Sequence, residues 1–451
     1  MRAALLAALF AMACGSSPGP PDGGPDGGDG GQPDAGDAGP TWSAVVTVDS
    51  ASGAGLDLAA TLDPAGRPAA AYFVRNAPGS YSLVLARELT DGNWTRETLP
   101  ANVDGGTSLT GRFGASLAFE AAGNPVIAYL GGEAADVQRG NDGRWNSLEN
   151  GASLPSDAVL IRKSGGTWTQ QVAATLSDSI ASTPYAVDNQ GAVTGLWPAL
   201  AIASDGGVHL AVRDIHFSAD QSAYEKSNLE YRRADAFGVA QNLGELVVPS
   251  VDEPDGGGIK GAGSYVQMAL IGGEPGVLFA LSPTATDDAE QLWFARRSTS
   301  GWSRVRLSAV TGRPGHPPSL AYSASAGLAV AFHDASGGDL LVATSTDGAS
   351  WITGSPESLG ETGLHPAAAF AGSTLGVLYA YCRAPTDPGT TCNTATQELR
   401  FRAQPAGAFG DKERVAGLMP DSSALLGEAN GRFVALWRDP AGALKAARRT
   451  P

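Results

Sequence analysis

Apolar and polar residues alternate along most of the chain after residue 40, in short runs that are separated by Gly-containing turns. "GNPVIAYL", "GGVHLAVRD" and "GRFVALWRD" are examples. Strict alternation over about 4–8 residues is typical of a strand with one buried face, and it has no helical period. No window shows a sustained helical apolar pattern with caps. The pattern therefore predicts an all-β chain.

The alternating runs recur in one order. A strand of small residues leads through a turn to a second strand with Ala near its end, then a third strand that opens with Leu, then an aromatic residue that opens a fourth. The second strands align on seven alanines: Ala71, Ala128, Ala211, Ala280, Ala331, Ala380 and Ala435. Six aromatic residues open fourth strands: Trp94, Trp168, Phe237, Trp302, Trp351 and Phe409. Four antiparallel strands that recur roughly every 50–80 residues predict a seven-bladed β-propeller. A pair of β-sandwiches is the alternative, but it would not produce seven copies of this order.

The last repeat lacks a fourth strand, and the chain has a spare strand at its start. "TWSAVVTVD" (Thr41–Asp49) alternates as a strand does, and Trp42 falls in the register of the aromatic residues in "NWTRETL" and "TWTQQVA". An unpaired strand edge is a liability in a closed sheet architecture. We therefore predict that residues 41–49 pair into the last blade and close the ring.

Small residues dominate the first two strands of each repeat, and we attribute this to packing. Inner strands converge on the axis, where bulky side chains would collide. The large aromatic residues are expected on the outer strands, where neighbouring blades diverge and leave volume to fill.

The first 40 residues predict export. "MRAALLAALFAMAC" has a basic Arg2, an apolar run and small residues before Cys14, which is typical of a signal peptide (1–13) and too short to span a bilayer. "AMA" suits ordinary signal peptidase, whereas "AMAC" resembles a bacterial lipobox. Residues 15–40 hold no apolar residue larger than Ala or Pro and are predicted to be disordered. A tether behind Cys14 favours lipidation of that cysteine.

Such Pro/Gly/Asp tethers (14–40) resemble those of Gram-negative surface lipoproteins. The resemblance implies a bacterial cell-envelope lipoprotein, anchored in the outer membrane through lipid on Cys14, with the propeller (41–451) on either its periplasmic or its surface face. Cys382 and Cys392 are then an exported pair, and we predict a disulfide between them. Two free thiols are the alternative.

The net charge is −16, and there is no Lys/Arg-rich run. An acidic surface repels phosphate backbones, so nucleic acid is not an expected partner. We expect a monomer that contacts the membrane only through its lipid.

One turn carries a family resemblance. "STDGASW", with Ser345, Asp347, Gly348 and Trp351, resembles the Asp box of sialidase-like propellers, although it is one residue shorter. "LTDGNW", "KSGGTW" and "STSGW" stand at the same place in other repeats. The wider pattern over residues 41–449 is similar to BNR-type propellers of bacterial secreted proteins. The resemblance implies a propeller in which Ser345 and Asp347 bond their own turn and Trp351 packs between blades.

The resemblance would also allow sialidase activity, which needs three arginines, a Tyr–Glu pair and an acidic proton donor. The first blade opens with "LDLAATLD", where that family has an arginine motif. Four arginines do follow second strands: Arg75, Arg213, Arg383 and Arg438. Their flanks differ, and no Tyr–Glu couple stands beside them. We therefore expect no enzyme, no cofactor and, because the five histidines lack ligand spacing, no metal. "DASGGD" could wrap Ca²⁺ through Asp334 and Asp339, but a hairpin turn is the simpler interpretation.

Binding is the function that the pattern favours. Aromatic and imidazole residues stand where first strands begin, a point that in a propeller surrounds the axial opening: Phe113, Trp197, Tyr265, His316 and His365. Polar residues end second strands on the same face: Arg213, Asp214, His333, Asp334, Arg383 and Arg438. Such a set predicts a platform for a glycan, a peptide or an envelope protein. The alternatives are rings that merely plug the tunnel, a divergent sialidase-like glycoside hydrolase, and a scaffold that binds nothing.

Overall fold

A computed structural model describes residues 41–77, 80–101, 114–135, 137–139, 145–147, 154–174, 193–216, 226–234, 245–248, 261–282, 291–309, 317–383, 396–405 and 407–450. These residues form thirty β-strands and no α-helix. No helix in the described part of the chain is long and apolar enough to span a membrane.

The strands are numbered in chain order, and the four-stranded sheets are numbered as blades 1 to 7. Strand β1 (Val46–Asp49) precedes blade 1. Blade 1 comprises β2 (Leu56–Leu62), β3 (Pro68–Ala77), β4 (Ser80–Thr90) and β5 (Asn93–Thr98). Blade 2 comprises β6 (Ala115–Phe119), β7 (Pro125–Ala135), β10 (Leu154–Ser164) and β11 (Thr167–Ala174), with a small hairpin of β8 (Val137–Arg139) and β9 (Trp145–Ser147) inserted.

Blade 3 comprises β12 (Val193–Ile202), β13 (Val208–His216), β14 (Lys226–Ala234) and β15 (Glu245–Val248). Blade 4 comprises β16 (Gly261–Ile271), β17 (Glu274–Ser282), β18 (Gln291–Ser298) and β19 (Gly301–Ala309). Blade 5 comprises β20 (Ser319–Ser323), β21 (Gly327–Asp334), β22 (Asp339–Ser345) and β23 (Ile352–Glu357).

Blade 6 comprises β24 (Glu361–Ala371), β25 (Thr374–Cys382), β26 (Glu398–Gln404) and β27 (Glu413–Ala416). Blade 7 comprises β28 (Ser422–Gly427), β29 (Phe433–Arg438), β30 (Leu444–Arg449) and, as its outer strand, β1. Every pairing within the blades is antiparallel. The predicted seven-bladed propeller of four-stranded antiparallel blades is confirmed.

Strand β1 closes the ring as predicted. It pairs with β30 through Val46 opposite Ala446 and Thr47 opposite Lys445, and Trp42 forms an isolated bridge with Arg449. β1 also reaches blade 1, because the buried Tyr72 hydroxyl donates to an Asp49 carboxylate oxygen at 2.8 Å. The N-terminal segment therefore joins the last blade to the first.

Trp42 also joins a contact that recurs at three blade boundaries. An outer-strand Trp and the basic residue paired with it both donate to a Glu on the outer strand of the preceding blade. The three sets are Trp168 and Lys163 on Glu97 (2.8 and 2.6 Å), Trp302 and Arg297 on Glu245 (3.2 and 2.7 Å), and Trp42 and Arg449 on Glu413 (3.0 and 2.8 Å). The register of β1 is thus that of a fourth strand.

A hydrophobic cluster fills each of the seven boundaries between neighbouring blades. The seven aligned alanines of the second strands are all buried, each at most 2% exposed. Small side chains there let adjacent sheets approach closely. The repeat alignment therefore marks core positions.

The expectation that the large aromatic residues lie on the outer strands holds only in part, for residues such as Trp94, Trp168 and Trp302. Several of the largest fully buried side chains lie on second strands: Trp437, Tyr72, Tyr129, Tyr379 and Phe279. A second strand is covered by neighbouring blades on both faces, whereas an outer strand borders solvent. The outer-strand tryptophans Trp94 and Trp302 are accordingly only partly buried.

Deletion of residues 41–49 should lower the melting temperature sharply, because it exposes the edge of β30. A single substitution, Trp42→Ala, should lower the free energy of unfolding by about 2–3 kcal/mol through lost packing and the lost bond to Glu413. Val45→Ala, in the same segment with a side chain 48% exposed, is the control and should change it by about 0.5 kcal/mol or less. An unchanged melting temperature after deletion would contradict the closure.

The Glu residues at the blade boundaries should make stability depend on acid pH. Burial raises the pKa of Glu97, but hydrogen bonds from Lys163 and Trp168 outweigh it and hold the pKa below the usual value. The hydrogen bond from Arg297 lowers the pKa of Glu245. A carboxylate with a lowered folded pKa stabilises the fold above its unfolded pKa, and this contribution is lost as pH falls through the folded pKa.

The urea midpoint should therefore fall between about pH 6 and about pH 3, and it should fall less in a Glu97→Gln, Glu245→Gln double variant. Asp411→Asn, at an exposed position, is the control and should keep the wild-type dependence. Equal pH dependence in the wild type and the double variant would refute this role of the two glutamates.

Candidate functional site

A cavity of about 630 Å³ lies among the first strands of all seven blades. Apolar side chains such as those of Ala60, Leu117, Leu200, Met268 and Ala368 line its wall, but polar atoms contribute more of the lining surface than apolar atoms do. Polar and aromatic side chains join the lining where the first strands begin. A pocket of this size suits a small ligand.

Four first strands carry a residue with left-handed backbone conformation at the point where the pairing with the second strand is interrupted by a bulge. These residues are Asp57 (φ 50°), Trp197 (46°), Tyr265 (54°) and His365 (47°). All four line the cavity, and we call them the axial mouth. Such a backbone costs an L-residue roughly 1–2 kcal/mol. Gly114, at the same position in blade 2, has φ 82°.

A glycine two residues earlier brings three of these bulges against the preceding blade. A Cβ on Gly55 or Gly263 would lie 3.1 Å from the side chain of Arg438 or Arg213, and one on Gly363 would lie 2.8 Å from the Leu340 Cα. These glycines also have positive φ. The close approach and the backbone conformation together require glycine there.

Polar side chains on the first strands tie neighbouring blades together beside the bulges. Ser116 Oγ accepts from the backbone N–H of Leu200 at 2.9 Å, and Ser319 Oγ accepts from that of Ala368 at 2.9 Å. Ser423 Oγ donates to the carbonyl of His365 at 2.5 Å. The inner strands, and with them the mouth, are therefore held in fixed positions.

Two aromatic residues of the predicted platform are neighbours in the mouth. The rings of Trp197 in blade 3 and Tyr265 in blade 4 are 5.8 Å apart and inclined by 62°. Both side chains are half-buried. The structure thus brings Trp197, Tyr265 and His365 to one cavity, while Phe113 and His316 lie outside the described residues.

The two arginines Arg213 and Arg438 lie at blade boundaries. The Arg213 guanidinium lies 5.4 Å from the Trp197 ring centroid and donates to Ser264 Oγ at 3.0 Å. Arg438 donates to the Ala54 carbonyl at 2.9 Å and forms an ion pair with Asp421. Arg213 of blade 3 thus contacts its own blade and blade 4. Arg438 of blade 7 contacts the turn before its own blade and the turn before blade 1.

Among the remaining polar residues at second-strand ends, the side chains of His333 and Asp334 have local partners. His333 Nε2 lies 2.8 Å from Glu361 Oε1 of the next blade, and burial lowers the pKa of His333 although Glu361 opposes this. Asp334 accepts from the backbone N–H and hydroxyl of Ser336. Arg383 is exposed, and its backbone N–H donates to Thr396. Asp214 lies in β13, and its side chain is outside the description.

The described residues contain no group of three or more His, Cys, Asp or Glu that could hold a metal ion. Cys382 is buried at the end of β25. Cys392 and residues 1–40 lie outside the description, so the disulfide, the signal peptide, the tether and the lipid on Cys14 stay predictions.

The "STDGASW" turn connects β22 to β23 on the outer side of blade 5. Ser345 Oγ accepts from the Gly348 N–H at 2.8 Å, and Asp347 Oδ1 accepts from the N–H groups of Ser350 and Ala349, which lowers the pKa of Asp347. Trp351 packs against Phe294 of blade 4, with ring centroids 5.2 Å apart. These contacts hold the turn, and the Asp-box name stays a resemblance.

Asp57 is the mouth residue that is not among the residues predicted from the sequence. The sequence does mark this position, because "GLD" at Gly55–Asp57 parallels the triplets "GLW", "GSY" and "GLH", which end at the other three mouth residues. The repeated Gly-x-X triplet marks the bulge, and its third residue is the one with left-handed backbone.

Comparisons with known proteins give distant structural similarity. No protein-family model matches the chain, and no curated protein matches its sequence. Among solved structures, a protein of unknown function from Dyadobacter fermentans is 14% identical, with a TM-score of 0.46 over 78% of this chain and 97% of that one. A NanB sialidase mutant from Streptococcus pneumoniae is 12% identical, with a TM-score of 0.44 over 91% and 70%.

An alpha-L-arabinanase from Penicillium chrysogenum, complexed with arabinobiose, is 13% identical, with a TM-score of 0.44 over 91% of this chain and 98% of that one. Similarity at this level carries no argument about what this chain does.

The backbone strain in the mouth can be measured with a pair of variants. His365→Gly and His365→Ala both remove the imidazole, but only glycine adopts a positive φ without strain. The Gly variant should be more stable than the Ala variant by about 1 kcal/mol in urea unfolding. Ala367→Gly, in the same strand beyond the bulge, should instead destabilise by about 0.5–1 kcal/mol. Equal stability of the two His365 variants would show that no strain is held there.

Proposed function

We propose that the axial mouth binds a glycan and that the protein is a binding module. The observation that carries the proposal is the ring of strained residues: Asp57, Trp197, Tyr265 and His365 hold left-handed backbone around one cavity. Glycine would form the same bulge without that cost. Residues kept in sparsely populated conformations cluster at ligand sites, where the side chain they present repays the strain.

The side chains of the mouth suit a sugar. The half-buried faces of Trp197 and Tyr265 offer apolar surface to the C–H face of a pyranose. Asp57 and His365 offer polar groups to hydroxyls. The cavity volume fits a ligand of a few sugar rings.

Hydrolysis is less well supported than binding. A sialidase-like site needs arginines that converge on a carboxylate, whereas Arg213 contacts Trp197 and Ser264, and Arg438 contacts Ala54 and Asp421. These contacts place both side chains in blade packing. The preference for binding over an inert scaffold rests on the mouth, not on these arginine contacts.

We further propose that the chain is exported and anchored in the bacterial outer membrane by lipid on Cys14, with residues 15–40 as a tether. The sequence "AMAC" and the Pro/Gly/Asp run support this. A tethered binding module would hold glycan near the cell envelope. The predicted Cys382–Cys392 disulfide fits the same oxidising compartment.

A glycan array probed with the protein tests the proposed function. Wild type should retain at least one class of glycan, and Trp197→Ala and Tyr265→Ala should each weaken that binding by about tenfold, which corresponds to roughly 1.4 kcal/mol. Tyr322→Ala is the matched control, because Tyr322 is a half-buried aromatic at the opposite, turn end of a first strand. Retention that survives both mouth variants, or an array without any retained glycan, would overturn the proposal.

A further inference from the structure

The strongest further feature is Arg213, which contacts the Trp197 ring and the residue next to Tyr265 at the same time. Its guanidinium lies 5.4 Å from the Trp197 ring centroid in its own blade. The same group donates to Ser264 Oγ, one residue before Tyr265 in the next blade, at 3.0 Å. Arg213 is only 7% exposed, so these contacts form away from bulk water.

The strand register explains why the arginine stands at this place. Arg213 in β13 pairs with Leu196 of β12, directly before the bulge that carries Trp197. The backbone of the next blade packs on its stem, because a Cβ on Gly263 would lie 3.1 Å from Arg213 Cβ. One side chain thus touches both bulges that present the aromatic pair.

The same arrangement recurs where blade 7 meets blade 1. Arg438 lies at the end of β29, and a Cβ on Gly55 would lie 3.1 Å from Arg438 Cβ. Arg438 Nε donates to the Ala54 carbonyl at 2.9 Å, two residues before the bulge of Asp57 begins. Here the bulge carries the carboxylate of Asp57 in place of an aromatic residue. Arg438 is therefore a natural comparison for Arg213.

We propose that Arg213 is a positioning residue that holds Trp197 and Tyr265 in the orientation of the ligand platform. The inference rests on the proposed function for its biological meaning, but the positioning itself is a property of the free protein. A planar guanidinium stacks on an indole face and donates a hydrogen bond in its own plane at the same time. A lysine ammonium keeps the charge but has no planar face with which to do both.

The test uses ¹⁹F NMR of the full chain labelled with 5-fluorotryptophan. The chain has nine tryptophans, and Trp197→Phe identifies the Trp197 resonance by its loss. Arg213→Lys should shift the Trp197 resonance more than any other tryptophan resonance. Arg438→Lys should leave the Trp197 resonance in place, although both variants should lower the melting temperature because each loses a blade-boundary contact.

Ser264→Ala is the second variant, and it keeps the test decisive if Arg213→Lys folds poorly. It removes one of the two contacts and should shift the Trp197 resonance in the same direction by a smaller amount. A lower melting temperature with an unmoved Trp197 resonance in both variants would overturn the proposal. Arg213 would then only stabilise the boundary between blades 3 and 4. No sugar enters this experiment, so its failure is distinct from a failure on the glycan array.

Discussion

The whole ring depends on the antiparallel pairing of β1 with β30, because this pairing joins the two ends of the chain. Asp49 of β1 accepts from the buried Tyr72 of blade 1, while Trp42 donates to Glu413 of blade 6. The N-terminal segment therefore contacts three blades. With β1 in place the edge of β30 is paired, blade 7 has four strands like the other blades, and the closed ring fixes the distance of every inner strand from the axis.

That fixed distance is what makes the axial mouth possible. Cross-blade bonds such as that from the Leu200 N–H to Ser116 Oγ tie the inner strands together beside the bulges. Left-handed residues persist only where surrounding structure determines them. The strain at Trp197 and Tyr265 is thus carried by the closed ring, and the proposed binding site is a consequence of the closure.

Much of the fold follows from local patterns in the sequence. Alternation, the repeated Ala positions and the register of Trp42 are properties of single strands, and they sufficed to predict seven blades and their closure. Of the mouth, Trp197, Tyr265 and His365 were predicted because they stand where first strands begin. Asp57 was missed because a carboxylate in "GLDL" is unremarkable until the bulge shows which way it faces.

The roles of Arg213 and of the Trp–Glu contacts could not be predicted for a different reason. Arg213 reaches Ser264 across a blade boundary, and Trp302 reaches Glu245 in the preceding blade, so both contacts depend on the rotation between sheets. The sequence of one repeat holds no information on that angle. Tyr72 and Trp437 are buried because neighbouring blades cover both faces of the second strands on which they lie. This burial also depends on how the blades are arranged, which a single repeat does not reveal.

We propose above all that the closed ring holds four residues with strained backbone around a mouth that binds a ligand. A high-resolution crystal structure of the protein, soaked with a neutral oligosaccharide that the array retains, tests it most directly. The account predicts φ near +50° at Asp57, Trp197, Tyr265 and His365, with sugar density against the two aromatic rings. Extended backbone at these residues, or sugar bound elsewhere on the ring, would contradict it.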